Sequence, residues 1–135
     1  MPLISWNDTL SIGVEVVDGQ HKKMIEMVNE LHAAMKNREG DAVLNLIFMG
    51  LADYTKTHFS TEEDIMLSHE YPEYAAHKKE HEDLIAQVAE LRKRADRKEL
   101  NITIDLLHFL RDWVKNHIMN TDKKLGNFLN SRGIK

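Results

Sequence analysis

The chain has 135 residues, 42% of them hydrophobic and 30% charged, and carries a net charge of −4 with histidine neutral. This suffices for a single domain with a real hydrophobic core spanning residues 1–135, and it is not the composition of a disordered chain. With no cysteine, disulfides, thiolate metal sites and iron–sulfur clusters are excluded; no basic stripe suits a nucleic-acid partner, and the longest apolar run, Leu46 to Ala52, is too short for a membrane span.

The N-terminal residues Met1 to Trp6 lack the basic start and apolar core of a signal peptide, so a cytoplasmic location is expected. The first dozen residues read as an arm, with Trp6 and Ile12 available to pack on the helices. Helical periodicity then appears in four segments. The first runs from Asp18 to Lys36, with Val17, His21, Met24, Val28, Leu31 and Met35 in alternating steps of four and three. Gly40 is expected to stop it, and Asp41 to cap a second helix from Asp41 to His69. The inward stripe of the second helix is Leu44, Phe48, Leu51, Thr55, His58, Glu62, Ile65 and His69.

A third helix opens after Pro72 on Tyr74, His77, His81, Leu84, Val88, Leu91 and Ala95. A fourth, capped by Asn101, extends to Ile118 with Leu107, Leu110, Val114 and His117 inward, and the tail beyond Thr121 supplies a short C-terminal helix. Short connections imply antiparallel neighbours, hence an all-α, up-down-up-down four-helix bundle with an N-terminal arm. No large additional apolar face is evident, so a monomer is expected. Most of the seven methionines are expected to fill gaps in the core.

Polar groups in an inward stripe are costly unless something satisfies them. Here the stripes hold His21, His58, Glu62, His77, His81 and His117, with Asp122 just beyond. In an antiparallel bundle the start of the first helix, the end of the second, the start of the third and the end of the fourth meet at one end. All seven residues therefore converge. A lone core histidine is ordinarily structural; five histidines with two carboxylates at one level point to metal. The pairs His77/His81 and His58/Glu62 are spaced i,i+4, about 40° apart around a helix and about 6 Å along it, so each pair can serve one ion.

His117 and Asp122 are i,i+5, which a regular α-helix would splay by about 140°. A π-bulge or break is therefore predicted between Ile118 and Thr121. Seven imidazole and carboxylate donors are too many for one transition ion and suit two, with iron, manganese, zinc or copper favoured by sulfur-free ligation. His32, His69 and His108 fall at the wrong height or on the wrong face and are expected to be non-ligands.

The ordered set of Asp18-Gly-Gln-His21, His58-xxx-Glu62, His77-xxx-His81 and His117-xxxx-Asp122, together with the Trp6 arm, resembles the hemerythrin family, in particular the single-domain bacteriohemerythrins, over nearly the whole chain. The resemblance implies reversible O₂ binding at a non-haem di-iron centre, for oxygen storage or for delivery to an oxygen-consuming enzyme as client. It implies that His77, His81 and His117 bind one iron and His21 and His58 the other. Glu62 and Asp122 would bridge them together with an oxo or hydroxo group, and O₂ would bind at an open position on the two-histidine iron. Met119 would lie near the O₂ pocket. By pattern, Met24, Ile25, Trp113 and Met119 form an apolar interior wall that excludes water and protons. Gln20, Asn29 and Thr55 are candidates to accept the free imidazole N–H groups.

Rival activities find less support. Ferritin-like di-iron oxidases use Glu-x-x-His, and zinc hydrolases use His-Glu-x-x-His; neither occurs in this chain. An O₂ or redox sensor is a further alternative, but the chain ends at Lys135 without a signalling domain, so sensing is expected to need a separate partner. Peroxidase or NO-handling chemistry on the same site is another alternative, and the residues as a whole favour a carrier over an enzyme.

Overall fold

The computed structural model describes residues 3–96 and 104–135. Its helices are α1 (Glu15–Lys36), α2 (Asp41–Ser68), α3 (Tyr74–Asp96), α4 (Ile104–Asn116) and α5 (Lys123–Ser131), and no strand occurs among the described residues. A single 3₁₀ turn, Asp8–Leu10, precedes α1, and a π-helical segment, His117–Asp122, joins α4 to α5. α1 packs on α2 and α4, and α2 on α3. No helix among the described residues is long and apolar enough to cross a membrane.

The helix ends differ from the sequence reading in instructive ways. Helix α1 begins at Glu15, three residues before the expected Asp18. The Asp18 carboxylate accepts the Ser11 hydroxyl at 2.5 Å and the Ile12 N–H at 2.9 Å, so it ties the arm down from inside the helix. Gly40 does not stop α1. Arg38 does, at φ 58°, with Arg38 N–H donating to Met35 O and Glu39 N–H to Ala34 O. That bonding pattern closes a helix through a left-handed residue, a conformation that glycine adopts most cheaply but does not monopolise.

Gly40, at φ −67°, is instead the N-cap of α2, and Asp41 is its first helical residue. Helix α2 ends the same way: Glu70 adopts φ 54°, and the N–H groups of Glu70 and Tyr71 return to Leu67 O and Met66 O. Asn101, the expected cap of the fourth helix, lies outside the described residues. So does the side chain of Ala95.

The core forms two clusters. One, toward the middle and far end, holds Val28, Leu31, Leu44, Phe48, Leu51, Leu107 and Leu110. The other joins the arm to the bundle: Ile4, Leu10, Ile12 and Val14 pack with Val17, Ile25, Met66, Ile118, Leu125 and Leu129. Gly126 lets the arm backbone lie directly on α5, since a Cβ there would stand 2.1 Å from Ile12 O. Asn130 fastens the same contact by donating to Gly13 O at 3.0 Å and Ile134 O at 2.8 Å. Asn29 holds the arm further along, accepting from Ile4 N–H and donating to Ile4 O. The arm thus shields the end of the bundle where polar side chains collect.

Candidate metal centre

His21, His58, Glu62, His77, His81, His117 and Asp122 are all buried, each at most 5% exposed, and the structure brings them together at one end of the bundle. Four helical segments supply them. His21 lies in the second turn of α1, His58 and Glu62 in the second half of α2, and His77 and His81 in the opening turns of α3. His117 and Asp122 bracket the π-helical segment. The i→i+5 bonding of that segment is what turns Asp122 onto the same side as His117, as the spacing required. No side-chain cap is needed there because the segment continues into α5.

The donor atoms fall into two groups. Those of Glu62, His77, His81, His117 and Asp122 lie within 4.8 Å of one another, and so do those of His21, His58, Glu62 and Asp122. Both carboxylates belong to both groups. Asp122 divides its oxygens between them: Oδ1 lies 2.9 Å from His77 Nε2 and 3.1 Å from His117 Nε2, whereas Oδ2 lies 3.1 Å from His21 Nε2. Glu62 presents Oε1 to His81 at 3.2 Å and to His58 at 3.5 Å, and Oε2 to His21 at 3.8 Å.

Each of the five clustered histidines turns Nε2 toward the carboxylates. The three rings of His77, His81 and His117 sit 4.6–5.1 Å apart by centroid, and those of His21 and His58 4.6 Å apart.

The outward ring nitrogens are held in part by side chains. His58 Nδ1–H donates to Gln20 Oε1 at 2.6 Å, His81 Nδ1–H to Glu63 Oε2 at 3.0 Å, and His117 Nδ1–H to Glu80 Oε1 at 3.2 Å. Thr121 in turn donates its hydroxyl to Glu80 at 2.8 Å. Of the three expected acceptors only Gln20 serves. Asn29 is committed to the arm, and Thr55 donates to Leu51 O within its own helix. Glu63 and Glu80 were not legible as partners because they follow no stripe; each is placed by the crossing of α2, α3 and the π-helical segment.

Aromatic faces fix two of the rings. Phe59 stacks flat on His81 at 3.8 Å and 3°, and Trp113 on His117 at 4.4 Å and 14°. Met24 and Ile25 are buried and Trp113 is half-buried. Met119 is not in the interior wall where the pattern put it: it is 39% exposed, and Ile118 is the buried neighbour of His117. The π-helical register that returns Asp122 inward carries Met119 out. His32, His69 and His108 stand outside both donor groups, each half-buried.

The electrostatics of the metal-free cluster are those of imidazoles and carboxylates forced together. Burial pushes His58 down to about 4, so it is a neutral donor near pH 7. Burial also opposes charge on His77, but the Asp122 and Glu62 carboxylates beside its Nε2 outweigh it and raise His77 to about 9. Against the burial that opposes ionisation, His117 holds Asp122 well below the usual carboxylate range.

Both oxygens of Glu62, both of Asp122, and the Nε2 atoms of His21, His58 and His77 are buried without a hydrogen-bond partner among the described residues. Buried groups left so cost about 1–3 kcal/mol each. The donor set fits a pair of divalent transition ions: five neutral nitrogens, and two carboxylates whose charge offsets that of the metals.

Helical bundle and shared donor groups together define a paired-metal protein ligated by histidine and carboxylate. A family model described as the hemerythrin HHE cation binding domain matches residues 12–129. The chain is 42% identical to a bacteriohemerythrin of Stenotrophomonas maltophilia over 91% of its length and 79% of that protein. It is 37% identical to one of Methylococcus capsulatus over 93% of its length and 96% of that protein. Its structure is similar to that of a wild-type hemerythrin, with a TM-score of 0.88 at 34% identity, covering 93% of this chain and 96% of the other. The chain belongs to the hemerythrin family. It is therefore an O₂-binding protein with a non-haem di-iron centre.

Proposed function

We propose that His77, His81 and His117 hold one iron and His21 and His58 the other, with Glu62 and Asp122 bridging, and that the chain captures and releases O₂ as a carrier rather than as an enzyme. The observation that carries this reading is the division of the donors into a three-histidine and a two-histidine group sharing both carboxylates. Two ferrous ions with an oxo or hydroxo bridge would supply the pair of electrons that reversible O₂ capture requires.

The protein's own residues do the rest. Gln20, Glu63 and Glu80 keep the protons of His58, His81 and His117 on Nδ1, which leaves each Nε2 lone pair facing inward. Phe59 and Trp113 lock two rings by stacking. Met24, Ile25 and Ile118, all buried, keep water and its protons from the centre. Met119 has no part in that wall. The low count of carboxylates among the donors favours a carrier over an oxidising catalyst.

In this reading residues 1–135 act as a single-domain monomer in the cytoplasm, storing O₂ or handing it to an oxygen-consuming enzyme. The test is metal analysis combined with optical spectra of the iron-loaded protein as O₂ is removed and readmitted. Charge-transfer bands that vanish and return are expected. Two irons with no O₂-dependent band would overturn the carrier reading.

A further inference from the structure

A small cavity of about 20 Å³ lies in the bundle interior, lined by Met24, Thr55, Leu84, Trp113, Val114 and neighbours. Its position relative to the metal centre follows from the sequence. Met24 is three residues after His21, Thr55 three before His58, Leu84 three after His81 and Val114 three before His117. Each is one helical turn from a histidine of the cluster, on the side facing the bundle middle. The cavity therefore sits directly above the centre. Its volume suits one small diatomic molecule. Its lining is almost entirely apolar: Thr55 has its hydroxyl proton committed to Leu51 O, and the Trp113 indole is the other polar side chain, so a water there finds few partners and the space favours an apolar gas.

A second, larger pocket of about 210 Å³ opens on the flank between α2 and α3, lined by Ala52, Thr55, Lys56, Leu84, Ile85, Val88, Ala89 and Lys93. The two spaces share Ala52, Thr55, Leu84 and Val88. The partition between them is thus one layer of side chains. On other sides the centre is flanked by stacked rings and by the Gln20, Glu63 and Glu80 contacts, a polar rim that suits water better than gas.

We propose that O₂ enters and leaves through the α2–α3 flank, crossing the partition of Ala52, Thr55, Leu84 and Val88 into the inner cavity, which is its last stop before the metals. The proposal rests on the O₂-binding reading. Leu84, almost fully buried at 3% exposure, is the side chain whose rotation opens the way. Such a gate sets rates in both directions equally and leaves affinity alone.

The test uses the full, iron-loaded chain. Ala89 is exposed and lines only the outer pocket, so Ala89→Trp plugs the mouth without touching the inner cavity or the fold. Ala89→Trp is expected to slow O₂ association and dissociation alike by about tenfold with equilibrium affinity unchanged, and Leu84→Ala to speed both. Xenon-pressurised crystals are expected to show xenon in the inner cavity of the parent protein.

Unchanged rates in Ala89→Trp at full iron content, or no xenon in that cavity, would overturn the route. Failure of the parent to bind O₂ at all would overturn the functional reading instead. The xenon crystals then still decide whether the cavity admits an apolar gas.

Discussion

His81 donates its Nδ1–H to the carboxylate of Glu63 across 3.0 Å, while His58 donates the corresponding proton to the neutral amide oxygen of Gln20 across 2.6 Å. With His117 on Glu80, two imidazoles of the three-histidine group face anions, and the two-histidine group faces none among these partners. A carboxylate behind an imidazole raises its basicity and strengthens its hold on a metal.

Glu63→Ala is therefore expected to weaken iron binding on the three-histidine side by about tenfold or more. Glu63→Gln, which keeps an acceptor without the charge, should fall between it and the parent. Chelator competition followed by iron analysis measures both. Equal retention of iron in all three proteins would show that Glu63 is an incidental neighbour.

The sharing of Glu62 and Asp122 makes the two sites interdependent. His81→Ala is expected to empty the three-histidine site preferentially. Glu62→Ala is expected to lose both ions, because the carboxylate serves each group. His108→Ala, outside both groups, should leave iron content unchanged. A full complement of iron in Glu62→Ala would contradict the bridge.

The metal-free protein should show a pH dependence of known sign. His77 is raised from 6.5 to about 9 in the folded cluster, so its contribution to stability is complete below about pH 6.5 and fades as pH rises through about 9. His58, lowered from 6.5 to about 4, works the other way: stability is lost as pH falls from about 6.5 toward about 4. Denaturant unfolding of metal-free protein should thus be hardest near neutral pH and weaker by about 2–3 kcal/mol above pH 9.

Loading near pH 7 must displace the His77 proton, so metal binding should release protons, as calorimetry in buffers of different ionisation enthalpy would register. Removing the metals should also lower the melting temperature by at least about 10 °C, since several buried donors lose their partners. A metal-free protein as stable as the loaded one would argue for a purely structural bundle.

Two glycines provide a packing test. Gly126→Ala would drive a methyl group into the backbone of Ile12, where the arm cannot yield without leaving α5. A loss of about 1–3 kcal/mol in denaturant unfolding is expected. Gly19 is exposed within α1 with nothing within 4 Å of an added Cβ, so Gly19→Ala should be neutral or stabilise by about 0.5–1 kcal/mol. If both behave alike, the arm contact is not what the geometry implies.

Much of the molecule was legible in the residues alone, because periodicity of 3.6 and ligand spacing are one-dimensional signals. The four helices, the inward stripes and the convergence of His21, His58, Glu62, His77, His81, His117 and Asp122 at one end all follow from spacing and antiparallel order. So does the π-helical segment, since only a change of winding lets His117 and Asp122 share a side. Helix ends were less legible, because Arg38 and Glu70 adopt the left-handed conformation without being glycine. What tertiary structure alone decided is the surroundings: Glu63 and Glu80 as partners, Phe59 and Trp113 as ring platforms, Ile118 rather than Met119 inside, and the partition between two cavities. These depend on how helices cross and on the exact phase of one distorted turn, distances set by packing in three dimensions that no pattern along the chain records.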